Sequence, residues 1–167
     1  MTEPTTAERM DVQRTIPADA ATIFAVLCDP HGHVAIDSSG MLQDATGEPA
    51  SAVGDRFVVH MDRESLNDYP LGRYDVTVEI VTFEQDREIA WTIHGQLDPP
   101  IGHIYGYRLE PAADGAGTVV TSYYDWSTIH PVWRERNIFP ILQEGALRAT
   151  LGILERTVVR AARQNEA

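Results

Sequence analysis

Five side chains on alternating segments are the part of this sequence that could do chemistry: Tyr74, Trp91, His103, Tyr105 and Tyr107. Residues two apart in an extended strand share a face, so His103, Tyr105 and Tyr107 point the same way. Tyr and Trp present an apolar body with one polar tip. That suits a pocket that holds a hydrophobic molecule and fixes one or two of its oxygens. A histidine beside a tyrosine hydroxyl also suits proton transfer to or from an enol. His103 is the one candidate catalytic residue, because only its ordinary pKa lies near neutrality, and the sequence supplies no charged partner to orient it. A filled aromatic core with satisfied hydroxyls is the third reading of the same residues.

Other constellations carry less. His31, His33 and Asp37 have the residue types of a metal site. On a helix, however, i and i+2 diverge by about 200°, so a solvated helix surface is expected there and no metal. Cys28 is the single cysteine. It excludes an internal disulfide and a multi-cysteine metal site. Its acidic neighbour Asp29 would not lower its pKa. There is no Gly-x-Ser-x-Gly, no phosphate-binding Gly loop and no His-Glu-x-x-His, so a hydrolase triad, a nucleotide and a cofactor have no support.

The elements that must position the aromatic residues follow from periodicity. Residues 10–16 alternate as a half-buried strand, with Met10, Val12 and Ile16 on one side. After Pro17, Ala20, Ile23, Phe24 and Leu27 form the apolar stripe of a helix, with Asp19 in its first turn. Asp29-Pro30 starts a second, short helix. Strands are then expected around 41–45, 54–61, 73–83, 88–94, 102–110 and 118–126, the last two joined by the turn Asp114-Gly115-Ala116-Gly117. Successive strands with short links imply an antiparallel sheet, and helices clustered at the ends imply an α+β domain. Val120, Ser122, Tyr124 and Trp126 are read as inward on the last strand, because that parity puts Asp125 outside. The alternative turns Val119, Thr121, Tyr123 and Asp125 inward.

The chain ends in an amphipathic helix. Steps of about 100° per residue place Leu147, Leu151, Leu154 and Val158 on one side of its apolar sector, and Leu142, Ala146 and Ile153 on the other. Gln143, Thr150 and Thr157 fall at the centre of that sector. Buried polar groups need partners, so Gln143 and Thr150 are expected either to face a ligand or to bond neighbouring backbone. Residues 62–72 and 96–101 are loops expected to border a cavity mouth.

At 167 residues the chain is long enough for one sizeable core. A tail at 1–8, a single domain at 9–163 and a frayed end at 164–167 are expected. The net charge is −12 and every basic residue is Arg. That balance weighs against nucleic acid, anionic membranes and polyanionic substrates, unless a buried Arg overrides it locally. No apolar run reaches the roughly 18–20 residues of a membrane span, and the N-terminus lacks a signal-peptide pattern, so a cytoplasmic location without integral membrane association is expected. Nothing in the sequence fixes an oligomeric state.

Several segments together carry a resemblance. They are Ile16-Pro17-Ala18-Asp19, Ile23-Phe24 and Leu27-Cys28-Asp29-Pro30; Val53-Gly54-Asp55-Arg56-Phe57; Arg87-Glu88-Ile89-Ala90-Trp91; Tyr107-Arg108-Leu109-Glu110-Pro111; and Gly117-Thr118-Val119-Val120-Thr121 before the long helix. In this order and spacing the chain resembles the START-related helix-grip (SRPBCC) superfamily, with its polyketide cyclase/dehydrase and lipid-transport families. The resemblance implies a helix-grip fold: a curved antiparallel sheet wrapped around a long C-terminal helix, two short helices after the first strand, and a cavity between sheet and helix. It implies no single reaction, since one scaffold carries many functions. The first expectation is binding of a small hydrophobic molecule such as a lipid, polyketide or isoprenoid, lined by Tyr74, Trp91, His103, Tyr105, Tyr107, Tyr124, Trp126, Gln143 and Thr150. The alternatives are a cyclase, aromatase or dehydratase in the same pocket, and a protein-interaction module with a filled core.

Overall fold

Strand alternation and helix caps set the local structure. In the computed structural model, which describes residues 7–166, β1 (Arg9–Ile16) buries Val12 and Ile16 and turns Asp11, Gln13 and Thr15 outward. The expected tail lies mostly outside the described residues, but Glu8 is held: its carbonyl accepts from the Trp126 amide at 2.9 Å, and its carboxylate pairs with Arg134. Asp19 caps α1 (Ala20–Cys28) from just outside the helix, accepting from the Thr22 amide at 2.8 Å. Ile23, Phe24 and Leu27 form the buried stripe of α1. Asp29 caps α2 (Pro30–Ile36) with Pro30 at its first position.

The remaining strands are β2 (Leu42–Thr46), β3 (Arg56–Asp62), β4 (Arg73–Glu84), β5 (Glu88–His94), β6 (Ile104–Pro111) and β7 (Thr118–Asp125). They form one antiparallel sheet in the order β1-β7-β6-β5-β4-β3-β2. A one-turn helix, α3 (Pro131–Arg134), interrupts the connection to α4 (Glu144–Asn165), which runs two residues past the expected domain end at 163. Leu147, Leu151, Leu154 and Val158 of α4 join one core cluster with the inner face of the sheet. Each such side chain stabilises the fold by about 1.5–3 kcal/mol on burial. This is the helix-grip α+β architecture.

Because neighbouring strands are antiparallel, the β3–β4, β5–β6 and β7–α4 connections all lie at one end of the sheet. The β4–β5 and β6–β7 turns and the start of α1 lie at the other. The two ends differ in burial. At the α1 end Ile16, Ile23, Phe24, Ile80, Ile89, Val120, Leu154 and Val158 are sealed from solvent. Toward the opposite end the inward residues open by degrees. Phe57 and Val59 are buried and Met61 is half-buried on β3; Val78 and Val76 are buried and Tyr74 is half-buried on β4; Trp91 is buried and Ile93 is half-buried on β5.

Candidate functional site

The register builds one aromatic row across the concave face. Ile80 pairs with Trp91, Trp91 with Tyr105, and Tyr105 with Tyr124. Trp91 stacks near-parallel on Tyr105 and on Tyr107, with centroids 6.4 Å and 5.9 Å apart. Tyr105 lies 4.9 Å from Tyr124, which stacks on Trp126 at 5.6 Å. Tyr124 and Ser122 are buried on the inner face. Asp125 faces away and accepts from the Ser127 amide and hydroxyl at 2.8 Å and 2.6 Å.

His103 sits just before β6 and is 4% exposed. Its Nδ1 lies 2.8 Å from the Tyr124 hydroxyl, which also faces the Ile141 backbone amide. In this bond either the hydroxyl donates to Nδ1 or a protonated Nδ1 donates to the tyrosine oxygen, according to the ring's tautomer. Burial lowers the His103 pKa to about 4, so the ring is neutral at pH 7. Desolvation raises Tyr124 and Tyr105, and pushes Tyr107 up to about 12 against its hydrogen bond to Ser122. The pair can accept or donate hydrogen bonds, but none of its groups carries charge near neutrality.

Two expected site residues lie elsewhere. Gln143 is the exposed residue before α4 and makes no capping bond through its side chain. Thr150 is half-buried at the edge of the α4 stripe, where its hydroxyl donates to the Ala146 carbonyl at 3.0 Å and lies 3.0 Å from Ser38 Oγ. Thr157 bonds the Ile153 carbonyl at 2.8 Å. The buried sector is centred on Leu147, Leu151, Leu154 and Val158, because α4 packs chiefly on β1 and α2, with α1 and β7 beside them. The threonines therefore flank it and satisfy themselves on their own helix.

His33 corrects the expected solvated surface of α2. It is 7% exposed, and its ring packs 4.5 Å from Trp91 and 5.0 Å from Phe57. Its Nε2–H donates to the Leu27 carbonyl at 2.7 Å, and burial lowers its pKa to about 4. His31 remains exposed, as diverging i, i+2 positions require. Cys28 is buried, and desolvation raises its thiol to about 11.

The middle of the grip is filled by these side chains, and no buried side-chain polar atom among the described residues lacks a partner. Half-buried apolar side chains of the inner face gather at the open end, where Met61, Tyr74, Ile93, Tyr105, Trp126 and Leu142 pack against the core. An open depression beside this end lies mainly on the outer face of β3 and β4, walled by His60, Asp62, Arg73 and Asp75, with Met61 and Tyr74 at its edge. Leu66, Tyr69, Leu71, Leu97, Ile138 and Ile141 are exposed on the three connections of the same end. A second open cleft, about 750 Å³, lies at the α1 end between Asp19, Arg87, Arg108 and Glu110. Its walls are charged, and it holds none of the aromatic row.

Sequence reasoning missed Arg63. It continues the inward alternation of Phe57, Val59 and Met61 one step past β3, and that parity was the available signal. Its side chain is 17% exposed, and it pairs with Asp68.

The sequence profile of polyketide cyclase/dehydrase and lipid transport matches residues 7–159. A search of curated proteins by sequence found no match. Among solved structures, the chain is similar to Ms6760 from Mycobacterium smegmatis, at 13% identity and a TM-score of 0.63 over 93% of each chain. It is similar to DR_A0006 from Deinococcus radiodurans, at 19% identity and a TM-score of 0.59 over 89% of this chain and 94% of that one. It is also similar to a norcoclaurine synthase point mutant from Thalictrum in complex with a transition-state analogue, at 15% identity and a TM-score of 0.59 over 96% and 99%. At these identities the likeness is one of fold.

Proposed function

The chain belongs to the polyketide cyclase/dehydrase and lipid-transport family, and on that premise we propose that it binds a small, mainly hydrophobic molecule at the open end of the grip. The carrying observation is the burial gradient. On β3, β4 and β5 the inward residue nearest this end, Met61, Tyr74 or Ile93, is half-exposed while those below it are sealed. Half-exposed apolar side chains on a concave face lose water when a ligand covers them, at about 25 cal/mol per Å² of apolar surface. The filled centre makes the bound molecule a guest of the mouth, with the aromatic row as its floor.

Binding without turnover fits the polar groups of this floor. His103 is neutral and bonded to Tyr124, and Asp125 is turned away from it. General acid–base catalysis at neutral pH favours a group poised near 7, and this pair is far from that on both sides. The half-buried hydroxyls of Tyr74 and Tyr105 remain to fix a ligand oxygen.

Titration with N-phenyl-1-naphthylamine, an uncharged dye that brightens in apolar surroundings, tests the reading. Saturable binding is expected, with loss on Ile93→Glu while circular dichroism is unchanged. A dye signal that never saturates, or that Ile93→Glu leaves intact, sinks the proposal. Native mass spectrometry of the purified protein would identify any retained natural ligand.

A further inference from the structure

The rim of this mouth carries a cation with donors to spare. Arg63 is 17% exposed, whereas the other ion-paired arginines of the described residues range from 38% to 83%. Nε and Nη2 take the two oxygens of Asp68. Nη1 is turned to the Met41 sulfur, a weak acceptor, and the guanidinium lies beside the Tyr74 hydroxyl. A guanidinium has five N–H donors, and a bidentate carboxylate uses two. The remainder belong to Nη1 and Nη2 beside Met41 and Tyr74, and the Tyr69 ring lies over the guanidinium at 5.2 Å.

We infer that Arg63 reads an anionic head group, and that the ligand class is an apolar molecule ending in a single carboxylate. The inference rests on the mouth-binding reading above. The apolar part lies over Met61, Ile93 and Tyr105, and the carboxylate meets Nη1 of Arg63 and the Tyr74 hydroxyl. Asp68 holds the guanidinium in place and neutralises part of it, so one negative charge is accommodated and several are not. The chain's net charge of −12 acts in the same direction, because only a local cation can overcome the repulsion of an anion by the rest of the surface. The ligand contributes an acceptor that the thioether of Met41 does not.

The test displaces N-phenyl-1-naphthylamine with decanoate and with decanol, which share chain length and differ in charge. In Arg63→Gln, decanoate competition should weaken about tenfold, in the range of one charge-assisted hydrogen bond. Dye binding and decanol competition should stay within about twofold. Asp68→Asn frees the guanidinium from its partner, and decanoate competition should hold or strengthen in it. A merely structural role for the ion pair would weaken decanoate and decanol alike in both variants, and that result overturns the inference. Unchanged decanoate competition in Arg63→Gln overturns it too and leaves the mouth intact. Failure of the dye to bind the unaltered protein overturns the mouth reading itself.

Discussion

Tyr123 lies on the outer face of the sheet with its ring over Gly106, the residue it pairs with on β6. A Cβ at Gly106 would sit 2.2 Å from the Tyr123 Cζ and 2.4 Å from its hydroxyl. The absence of a side chain on β6 is what lets this ring lie down and stay 5% exposed. Arg9 covers the ring, with its guanidinium carbon 4.0 Å from the centroid. The site is thus backed by a packed outer layer.

Gly106→Ala should therefore destabilise the fold by about 1–3 kcal/mol, the usual cost of overpacking. The loss should shrink in a Tyr123→Ala background, where the ring no longer competes for the space. Urea denaturation of the four proteins of the cycle measures the coupling. Equal losses in both backgrounds would remove the steric explanation.

The buried histidines make stability depend on pH in a stated direction. His33 and His103 fall to about 4 in the folded chain from an ordinary 6.5. Between those values the unfolded chain binds more protons than the folded one, so stability falls as pH drops from 6.5 toward 4 and is fully present above 6.5. Each group contributes on the order of 3 kcal/mol. His103→Gln cannot titrate and keeps an acceptor for Tyr124, so it should flatten part of the slope in urea midpoints across this range. A slope identical to that of the unaltered protein would rule His103 out as a source.

Mouth residues should act on affinity. Tyr105→Phe and His103→Ala are expected to weaken dye or ligand binding by about 1 kcal/mol each, a net hydrogen bond. A turnover assay on a polyketide-like substrate gives the opposing outcome. Activity that falls on the order of a hundredfold in His103→Ala with binding intact would match general acid–base catalysis and replace the binding reading.

The α4 residues separate into packing and surface. Leu151→Ala, at a position 1% exposed, should cost about 2–5 kcal/mol. Gln143→Ala and Thr150→Ala should leave dye affinity within about twofold, since Gln143 is exposed and the Thr150 hydroxyl bonds its own helix. A selective loss of affinity in Thr150→Ala would return that hydroxyl to the site.

Hydrogen exchange reports the rim. Residues 62–72 and 96–101 connect strands at the open end and carry exposed Leu66, Tyr69, Leu71 and Leu97. Their amides should exchange more slowly with saturating N-phenyl-1-naphthylamine than without it. Equal rates would separate these loops from ligand entry.

The order of elements, the antiparallel sheet and the inward parity of Tyr74, Trp91 and Tyr105 could be read along the chain, because strand alternation and helix caps are local rules acting over a few residues. Asp29 with Pro30 marked α2, and the leucine stripe marked α4, for the same reason. Three features needed the tertiary structure. His33 is buried because α2 lies against Trp91 and Phe57, residues 58 and 24 positions away. Thr150 left the centre of its helix face because the packing of α4 against β1, α2, α1 and β7 decides which sector is buried, and periodicity alone does not set that packing. Whether the aromatic residues enclose a void or fill it depends on the curvature of seven strands and the summed volume of side chains brought from distant positions. That is why the sequence could name the ring residues of the grip, while only their packing put the accessible surface at its open end, beside Arg63.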